Sequence, residues 1–433
     1  MTGDDKVRRI VIELYDTLST DWNFASDAMA AAFRREENLG HRAKAAVAAQ
    51  LHRLIAQSRR INYALSEEGK GRAKKTSLAR YIACLVLDGK MSVADARAEL
   101  PMFDWESVAR VDERIAGETD SVRRLALATS LPDWLAARLL SEYGNEADAI
   151  AQAFNRRPPQ TLRVNTLKAT REGLIVSLNK QKLEAHATPL GKAGVIVDTP
   201  TNVFGLKAFL DGLIEMQDEA SQLVAELVEP APGSLVIDAC AGAGGKTLAL
   251  GALMKNRGRL IALDINERRL DELRRRARRA GLSNVRAIRI SGEDQGWPPE
   301  IAAFAGKADR VLVDAPCSGI GALRRNPEAR WRLKEEDLAR FPGEQEAIAR
   351  RAMSLVKPGG RLIYATCTLL REENEGVIEK LIAGSEFSLV PLKEIVGKKL
   401  ADKITDASGL YLKLLPNRHG TDGFFAAVLR RKS

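Results

Sequence analysis

The sequence predicts an α/β protein whose main part is a doubly wound sheet. From about residue 215 onward, short apolar runs alternate with helical patterns of about ten to fifteen residues. Several of the runs are continuously apolar, as expected for parallel strands that are covered on both faces. A glycine-rich turn follows the first run, and sheets of this kind bind ligands at the carboxyl ends of their strands. These three observations favour right-handed βαβ units in a Rossmann-like fold.

Residues 1–150 are predicted to form a separate, all-helical domain. Apolar residues recur there at spacings of three and four, with Gly or Asn near the ends of the segments. The clearest segments are "VRRIVIELYDTL", "AKAAVAAQLHRLIAQSRRINYAL", "SLARYIACLVLDG", "LPDWLAARLLSEYG" and "EADAIAQAFN". Cys84 lies within the third segment and is expected to be a core residue.

Residues 151–215 are predicted to form a small α+β subdomain between the helical region and the main sheet. Its strand-like stretches are "TLRVNTL" and "AGVIVD", and "TREGLIVSLNKQ" between them has a helical pattern. The main α/β domain then covers residues 216–433. Its candidate strands are "SLVIDAC", "GRLIALDI", "NVRAIRI", "DRVLVDAP", "GRLIYATC" and "FFAAVLRR".

The charge of the chain predicts a polyanionic partner. The net charge is +10 and the pI about 9.4, which leaves RNA, DNA and an anionic membrane as candidates. Arginine is concentrated in the segment 267–289, where a solvated helix face is the plain alternative to a binding surface. No segment of the sequence approaches eighteen uninterrupted apolar residues, and the start, "MTGDDKVRR", has no apolar region of a signal peptide. We therefore expect a soluble, cytoplasmic protein without a membrane partner.

The cysteines and histidines argue against a metal site and against a disulfide framework. The four cysteines include no C-x-x-C spacing, and the four histidines include no H-x-x-x-H pair. Two of the cysteines, Cys317 and Cys367, instead follow candidate strands directly. We therefore expect these two cysteines to be packing residues or nucleophiles and not metal ligands.

The glycine-rich turn "VIDACAGAGGKT" joins a strand to the start of a helix. Glycines let the backbone approach a ligand closely, and the N–H groups of a helix start favour anionic groups. A phosphate-binding P-loop would need glycine at the position of Cys240, so that interpretation fails. A dinucleotide-binding fold stays possible from the turn alone.

Acidic residues after the next three strands separate these alternatives. Asp264 ends the second strand, Glu293 and Asp294 follow the third, and Asp314 ends the fourth. A glycine turn with this series of acids resembles the class I S-adenosylmethionine-dependent methyltransferases. The resemblance implies contacts of the acids with ribose, adenine and the reacting region in turn, and leaves open whether Glu293 or Asp294 contacts adenine. The implied cofactor-binding residues are Cys240, Ala241, Gly242, Ala243, Gly244, Gly245, Lys246, Asp264, Asp294 and Asp314.

Cys317 and Cys367 are placed to act on a base whose carbon accepts the methyl group. They follow the fourth and fifth strands, which are neighbours in the methyltransferase order, so both are expected to face the cleft. Cytosine C5 is too weak a nucleophile to be methylated directly, but addition of a thiolate to C6 makes C5 carbanion-like. Such a thiolate needs nearby positive charge, for which Lys246 and the arginines of "ALRRNPEARWR" are candidates.

Two longer blocks make the resemblance specific. "DAPCSGIGALRRNPEARW" and "GGRLIYATCTLLREENEGVI" resemble signature blocks of the RNA 5-methylcytosine methyltransferases. This is the bacterial rRNA cytosine-C5 methyltransferase family related to the Nop2/NSUN group. "LRVNTLK", "MQDEASQLVAELVEPAPGSLVIDACAGAGGKT" and "TDGFFAAVLRR" match further blocks, and the similarity covers about residues 130–433. The helical region more faintly resembles a NusB-like RNA-binding domain.

The resemblance implies a division of work between the two thiols. Cys367 would attack C6, Cys317 would help to release the methylated product, and Asp314 would hold the base with Lys246 nearby. The resemblance implies that the cofactor is S-adenosylmethionine and that the substrate is small-subunit (16S) rRNA. We expect a monomer, and no metal site. Methylation of tRNA, and a non-catalytic RNA-binding role in ribosome assembly, are the alternatives. The family's turn is usually A-A-P-G-G-K, so the proline that stiffens it is missing here.

Overall fold

Two units divide the chain, and their boundary does not follow sequence order. The computed structural model describes residues 3–66, 75–292 and 296–433. One unit consists of residues 1–157 together with the distant segment 323–336, and the second consists of residues 158–322 and 337–433.

The secondary structure described before residue 157 is helical, because apolar side chains recur once per turn and pack into one core. The helices are α1 (Gly3–Asp21), α2 (Ala25–Arg35), α3 (His41–Ala56), α4 (Ser58–Ala64), α5 (Ser77–Leu87), α6 (Val93–Glu99), α7 (Trp105–Ala109), α8 (Val111–Ala116), α9 (Ser121–Thr129), α10 (Asp133–Tyr143) and α11 (Ala147–Ala153). Cys84 is buried in this core, as expected, and burial raises the pKa of its thiol to about 12.

One long helical segment of the sequence forms two helices. The run that begins near residue 43 breaks at Gln57, between α3 and α4. The hydroxyl of Ser58 donates to the carbonyl of Leu54 and pairs with the buried Tyr15 hydroxyl at 2.8 Å. A polar side chain bonded back to the preceding turn commonly bends a helix. The apolar pattern continues through the break and therefore does not reveal it.

The second unit begins with a small antiparallel sheet. Its elements are β1 (Gln160–Val164), α12 (Arg171–Lys180), β2 (Ala185–Ala187), β3 (Gly194–Val197), α13 (Lys207–Leu210) and β4 (Ile214–Met216). The strand order is β2-β3-β1-β4, with β1 antiparallel to both of its neighbours. Both strand-like stretches of the sequence are strands, whereas β2 and β4 were not predicted.

The main sheet and its covering helices form the rest of the second unit. The elements that follow in the chain are α14 (Glu219–Val228), β5 (Leu235–Asp238), α15 (Gly245–Leu253), β6 (Arg259–Asp264), α16 (Glu267–Ala280), β7 (Val285–Arg289), α17 (Pro299–Ala302), β8 (Ala308–Asp314), α18 (Ala329–Arg332), α19 (Phe341–Met353), β9 (Val356–Thr366), α20 (Glu375–Ile382), β10 (Phe387–Leu389), α21 (Lys393–Val396), α22 (Lys398–Ile404), β11 (Tyr411–Leu414), α23 (Pro416–His419) and β12 (Phe424–Arg431). Of these, α18 alone belongs to the helical unit.

The sheet has the order β10-β12-β9-β8-β5-β6-β7, and β11 pairs with β12. The five strands from β7 to β9 are parallel, while β12 is antiparallel to β9. All six strands expected in the main domain are present. Because the parallel strands end at one edge, Asp238, Asp264, Asp314 and Cys367 come together there. No described helix is both long enough and apolar enough to span a membrane.

The distant segment of the helical unit is fixed there by a buried arginine. Arg330, on α18, is only 1% exposed, and it donates to the carbonyls of Ala56, Ser130 and Phe154 and to Asn155 Oδ1 at 2.8–3.3 Å. Burial lowers the pKa of this guanidinium to about 9. A buried charge of this kind needs compensating hydrogen bonds, and here the two terminal nitrogens supply them, while Nε has no hydrogen-bond partner among the described residues. Arg330 therefore anchors the segment to the helices that precede it.

The arginine-rich helix α16 is largely paired within the protein. Four of its seven arginines make ion pairs: Arg274 with Glu267 and Asp271, Arg275 with Glu272, and Arg276 and Arg279 with the buried Glu215. The number of arginines in the sequence therefore overstates the unpaired positive charge that this helix presents to a polyanion.

Candidate active site

A cavity of about 450 Å³ lies at the carboxyl edge of the main sheet, next to the glycine turn. A volume of this order suits a small-molecule cofactor. The residues around it come from β5, β6 and β8, from α14, α15, α16 and α19, and from the segments that follow β5, β6, β7 and β8. Its lining comprises Ser221, Asp238, Ala239, Cys240, Ala241, Gly242, Ala243, Gly245, Lys246, Asp264, Ile265, Arg269, Ile290, Ser291, Gly292, Trp297, Asp314, Pro316, Glu344, Ile348 and Arg351.

The predicted turn surrounds the cavity, with one exception. Cys240, Ala241, Gly242, Ala243, Gly245 and Lys246 all line it. Gly244 instead has a φ of +89° and packs against α16, where a Cβ atom would lie 2.6 Å from Leu273 Cγ. Glycine is therefore required at position 244, both by the backbone conformation and by the close packing against Leu273. Cys240 is partly buried and packs against the core of the sheet.

Charged side chains hold the turn in place from three sides. Arg276 donates to the carbonyl of Ala243 at 2.8 Å, and Arg163 donates to the carbonyl of Gly245 at 2.6 Å. From the cavity side, Asp264 Oδ2 accepts from the N–H of Gly242 at 2.8 Å. These bonds restrain a loop that lacks the stiffening proline. Neither arginine was identified from the sequence, where only the "LRVNTLK" block pointed to the region of Arg163.

Two carboxylates form a polar part of the cavity lining. Asp264, predicted from its place after β6, also accepts from the N–H of Asn266 at 2.7 Å. Asp238 was not predicted, although it is the acid that ends β5. Its Oδ2 accepts from the Thr247 hydroxyl at 2.7 Å, and its buried Oδ1 has no hydrogen-bond partner among the described residues. Burial raises the pKa of Asp238 to about 7.

Part of the cavity lining is apolar and includes an indole ring. Ile265, Ile290, Trp297, Pro316 and Ile348 line it. The Arg351 guanidinium lies 4.0 Å from the centre of the Trp297 ring. The predicted adenine contacts, Glu293 and Asp294, lie outside the described residues, and the neighbouring Ser291 and Gly292 do line the cavity.

These features fit S-adenosylmethionine. The apolar part of the lining can cover an adenine ring, and Asp264 is placed beside the turn where ribose hydroxyls are bound in such folds. Asp238 presents a buried oxygen without a donor, which a cationic amino group would satisfy. The cavity lining therefore contains both the apolar and the polar groups that this cofactor requires.

Lys246 and Asp314 form an ion pair at the edge of the cavity. Lys246 Nζ lies 2.6 Å from Asp314 Oδ2 and 5.1 Å from the centre of the Phe424 ring. The lysine is buried, while Asp314 is partly exposed. From the sequence, Lys246 was a candidate source of positive charge for a thiolate, but in the structure its ammonium donates a hydrogen bond to the Asp314 carboxylate. Arg330, one of the arginines of "ALRRNPEARWR" that were also candidates for this positive charge, is hydrogen-bonded within the helical unit.

The two predicted thiols are in contact. Cys317 Sγ and Cys367 Sγ lie 3.4 Å apart, and both cysteines are free and half-buried. The N–H of Gly321 donates to the carbonyl of Cys367, which joins the two loops. This close approach requires glycine, because a Cβ atom on residue 321 would lie only 2.8 Å from the same oxygen. The hydrogen bond to Cys367, together with burial, raises the pKa of the Cys317 thiol well above its ordinary value.

The parallel sheet order, the glycine turn and the strand-end acids around one cavity define a class I S-adenosylmethionine-dependent methyltransferase. A sequence profile described as 16S rRNA methyltransferase RsmB/F matches residues 225–430. The chain is 37% identical over 316 residues to the probable ribosomal RNA small subunit methyltransferase B of Bacillus subtilis, which covers 72% of this chain and 69% of that protein. The chain belongs to the RsmB/F family of methyltransferases.

Further relatives agree with this assignment. The probable ribosomal RNA small subunit methyltransferase B of Synechocystis is 33% identical, over 70% of this chain and 67% of that protein. A profile for the ferredoxin-like domain of RsmF/B-like methyltransferases matches residues 131–204.

Among solved structures, the crystal structure of PH0851 matches with a TM-score of 0.78 and 27% identity, over 98% of both chains. A methyltransferase homologue from Pyrococcus horikoshii matches with a TM-score of 0.62 and 30% identity, over 72% of this chain and 100% of that one.

Proposed function

We propose that this methyltransferase forms 5-methylcytosine in small-subunit (16S) rRNA, through a covalent adduct between Cys367 and the base. The observation that carries the proposal is the pair of thiols in contact, at the ends of two adjacent parallel strands. One thiol suffices to add to a cytosine ring, so a second in contact with it suggests a separate proton-transfer or release step.

The chemistry begins with an electron-rich nucleophile. The Cys367 thiolate adds to C6 of cytosine, so that a sulfur–carbon bond forms and electron density moves to C5. Bound S-adenosylmethionine supplies an electrophilic methyl group to C5. Loss of the C5 proton to a base then allows elimination of the Cys367 thiolate and restores the aromatic ring.

The raised pKa of the Cys317 thiol supports the assignment of Cys367 as the nucleophile. The raised pKa of Cys317 means that this thiol keeps its proton and can donate it to the neighbouring sulfur. A hydrogen bond donated to a thiolate stabilises it. We assign Cys317 to the release step, because it lies beside the carbon–sulfur bond that must break.

Asp314 and Lys246 suit recognition of the cytosine ring. Lys246 donates a hydrogen bond to Oδ2 of Asp314. The second oxygen, Oδ1, is then free to accept from the exocyclic amine of cytosine, a donor that uracil does not have. This pair would distinguish the two pyrimidines and hold the ring while charge develops.

The RNA substrate is supported by charge and by the relatives. The net charge of +10 suits a polyanion, and the two curated relatives are named for the small ribosomal subunit. We further propose that the enzyme acts as a monomer in the cytoplasm and without a metal. We assign RNA binding to a NusB-like helical domain at 1–150 and a subdomain at 151–215, and catalysis to 216–433.

The test uses purified protein, S-adenosylmethionine, and small-subunit rRNA or tRNA from cells that lack the modification. Mass spectrometry of the nucleosides identifies the methylated atom, and bisulfite sequencing locates the nucleotide. We expect 5-methylcytosine in the rRNA. A methyl group on another atom would contradict the proposed chemistry, modification of tRNA alone would contradict the substrate, and absence of methylation in both RNAs would favour a non-catalytic role.

A further inference from the structure

A fully buried carboxylate lies between the two cysteine loops. Glu373 follows β9 within the block "LLREEN" and has no exposed surface. It accepts hydrogen bonds from the N–H of Ser318 at 2.9 Å, the hydroxyl of Ser318 at 2.5 Å, Gln345 Nε2 at 2.9 Å and the hydroxyl of Thr368 at 3.1 Å. Four donors therefore surround the two oxygens of one side chain.

The donors come from the residues next to the thiols. Ser318 directly follows Cys317, and Thr368 directly follows Cys367. The two hydroxyl oxygens are also 2.7 Å apart, so each hydroxyl can donate its single proton either to the other hydroxyl or to the carboxylate, and each of these bonds joins the two loops. Gln345, on α19, ties the same carboxylate to the carbonyl of Pro316 at 3.0 Å.

Glu373 suits this place because an ionised carboxylate only accepts hydrogen bonds. Burial raises the pKa of Glu373, while the hydrogen bonds from Ser318, Gln345 and Thr368 act in the opposite direction. A buried polar group with several donors fixes the geometry of what donates to it. A neutral side chain of the same size would leave some of these donors without a partner.

The next residue restrains the Cys367 loop in the same way. Asn374 is buried, accepts from the Thr366 hydroxyl at 2.5 Å and donates to the carbonyl of Thr368 at 3.2 Å. Residues on both sides of Cys367 are therefore bonded to the segment that follows it. This restraint acts on one loop only, whereas Glu373 acts on both.

We propose that Glu373 is a positioning residue that holds the sulfurs of Cys317 and Cys367 in contact by binding Ser318 and Thr368 together. Its role in catalysis rests on the proposed function. Its effect on the distance between the sulfurs does not, and can be measured without RNA.

The first experiment measures how readily the two thiols form a disulfide. Diamide, an azo oxidant, takes two protons and two electrons from a pair of thiols, leaving a disulfide and a hydrazine. We expect Glu373→Gln to slow formation of the Cys317–Cys367 disulfide by about tenfold or more, because its amide introduces a donor where four donors already converge. Peptide mass spectrometry identifies the disulfide. The matched control is Glu379→Gln, which changes an exposed carboxylate on α20.

A second pair of variants guards against misfolding of Glu373→Gln. Thr368→Val keeps the side-chain shape but removes one donor, whereas Thr368→Ser keeps the hydroxyl. We expect slower disulfide formation in the valine variant and a rate near that of the unmodified protein in the serine variant. Unchanged rates in both Glu373→Gln and Thr368→Val would overturn the proposal.

The third measurement is catalytic and separates the two hypotheses. If the protein forms 5-methylcytosine, Glu373→Gln should lower kcat by about 100-fold, since a displacement on the order of 1 Å costs that much, with little change in KM for S-adenosylmethionine. An unchanged kcat would refute the positioning role in catalysis. If the unmodified protein forms no 5-methylcytosine but Glu373→Gln still slows disulfide formation, the proposed function fails and the structural role stands.

Discussion

The sulfur atoms of Cys317 and Cys367 lie 3.4 Å apart, although the two residues are 50 positions apart in the chain. They meet because β8 and β9 are adjacent parallel strands whose carboxyl ends lie at one edge of the sheet. The hydrogen bond with Cys367 and burial raise the pKa of the Cys317 thiol.

The two thiols are expected to give opposite phenotypes when replaced. With RNA that contains 5-fluorocytosine, Cys367→Ala should form no covalent adduct, because the attacking sulfur is gone. Cys317→Ala should still form it, and on ordinary RNA this variant should accumulate a stalled protein–RNA adduct. Gel electrophoresis under denaturing conditions detects both species. Cys84→Ala, a change in the helical core, is the control and should react as the unmodified protein does. Clean turnover by Cys317→Ala would exclude that thiol from product release.

The ion pair of Lys246 and Asp314 predicts the choice of base. Asp314→Asn should lower kcat by about 100-fold, the usual effect of removing one group that stabilises developing charge. It should also reduce the preference for cytosine over uracil in binding of short RNAs. Asp309→Asn is the matched control, because Asp309 is paired with Lys357 at the opposite end of the same strand. Equal effects of the two substitutions would show that Asp314 acts on the fold and not on the base.

Asp238 predicts a pH-dependent stability in the absence of cofactor. Burial raises its pKa from the ordinary value of 3.8 to about 7, so the folded state holds a proton that the unfolded state has released. The stabilisation is complete below about pH 4 and is lost as the pH rises through about 7. Asp238→Asn cannot ionise, so its free energy of unfolding should change less between pH 5 and pH 8. Denaturant titrations at the two pH values test this, and parallel changes in both proteins would contradict it.

The restraint on the glycine turn predicts an effect on cofactor affinity. Arg276→Gln removes the donor to the carbonyl of Ala243 and one partner of Glu215, which loosens the turn. We expect Kd for S-adenosylmethionine to rise by about tenfold, since loss of a charge-assisted hydrogen bond costs about 1.5–3 kcal/mol. Calorimetry measures the affinity. Arg275→Gln, which affects a surface pair with Glu272 on the same helix, should leave Kd within about twofold.

Arg330 predicts a large loss of stability confined to the helical unit. Arg330→Met leaves the carbonyls of Ala56, Ser130 and Phe154 without their donor in a buried site. A buried acceptor left without a donor costs about 1–3 kcal/mol. Hydrogen exchange followed by mass spectrometry should show faster exchange in α4 and α11 but not in β8. Arg332→Met, a change at an exposed arginine, is the comparison and should have little effect. Equal exchange in the two variants would contradict the anchoring role.

Much of the site could be predicted because its signals are local in sequence. Continuous apolar runs identified the parallel strands, and acids at strand ends pointed to Asp264 and Asp314. The resemblance of two short blocks identified Cys317 and Cys367. Each of these inferences needs only neighbouring residues and the rule that parallel strands end at one edge.

The missed residues act through partners that are distant in sequence. Arg163 contacts Gly245 across 82 positions, and Glu373 contacts Ser318 across 55. Before folding, each is one charged residue among many, and exposed positions are the usual place for such residues. Similarly, the α16 arginines suggested an RNA surface until the structure showed that Glu215 neutralises two of them.

The sequence by itself determined six strands of the main sheet, the glycine turn, Asp264, Asp314 and the two thiols, because hydrophobic pattern and turn chemistry are properties of adjacent residues. Only the tertiary structure decided which charges are used to hold the protein together. It placed Lys246 on Asp314, buried Arg330 in the helical unit, and surrounded Glu373 with donors from both cysteine loops. The physical reason is that a buried charge must find its partners wherever the fold brings them, and that choice is not written in any local pattern.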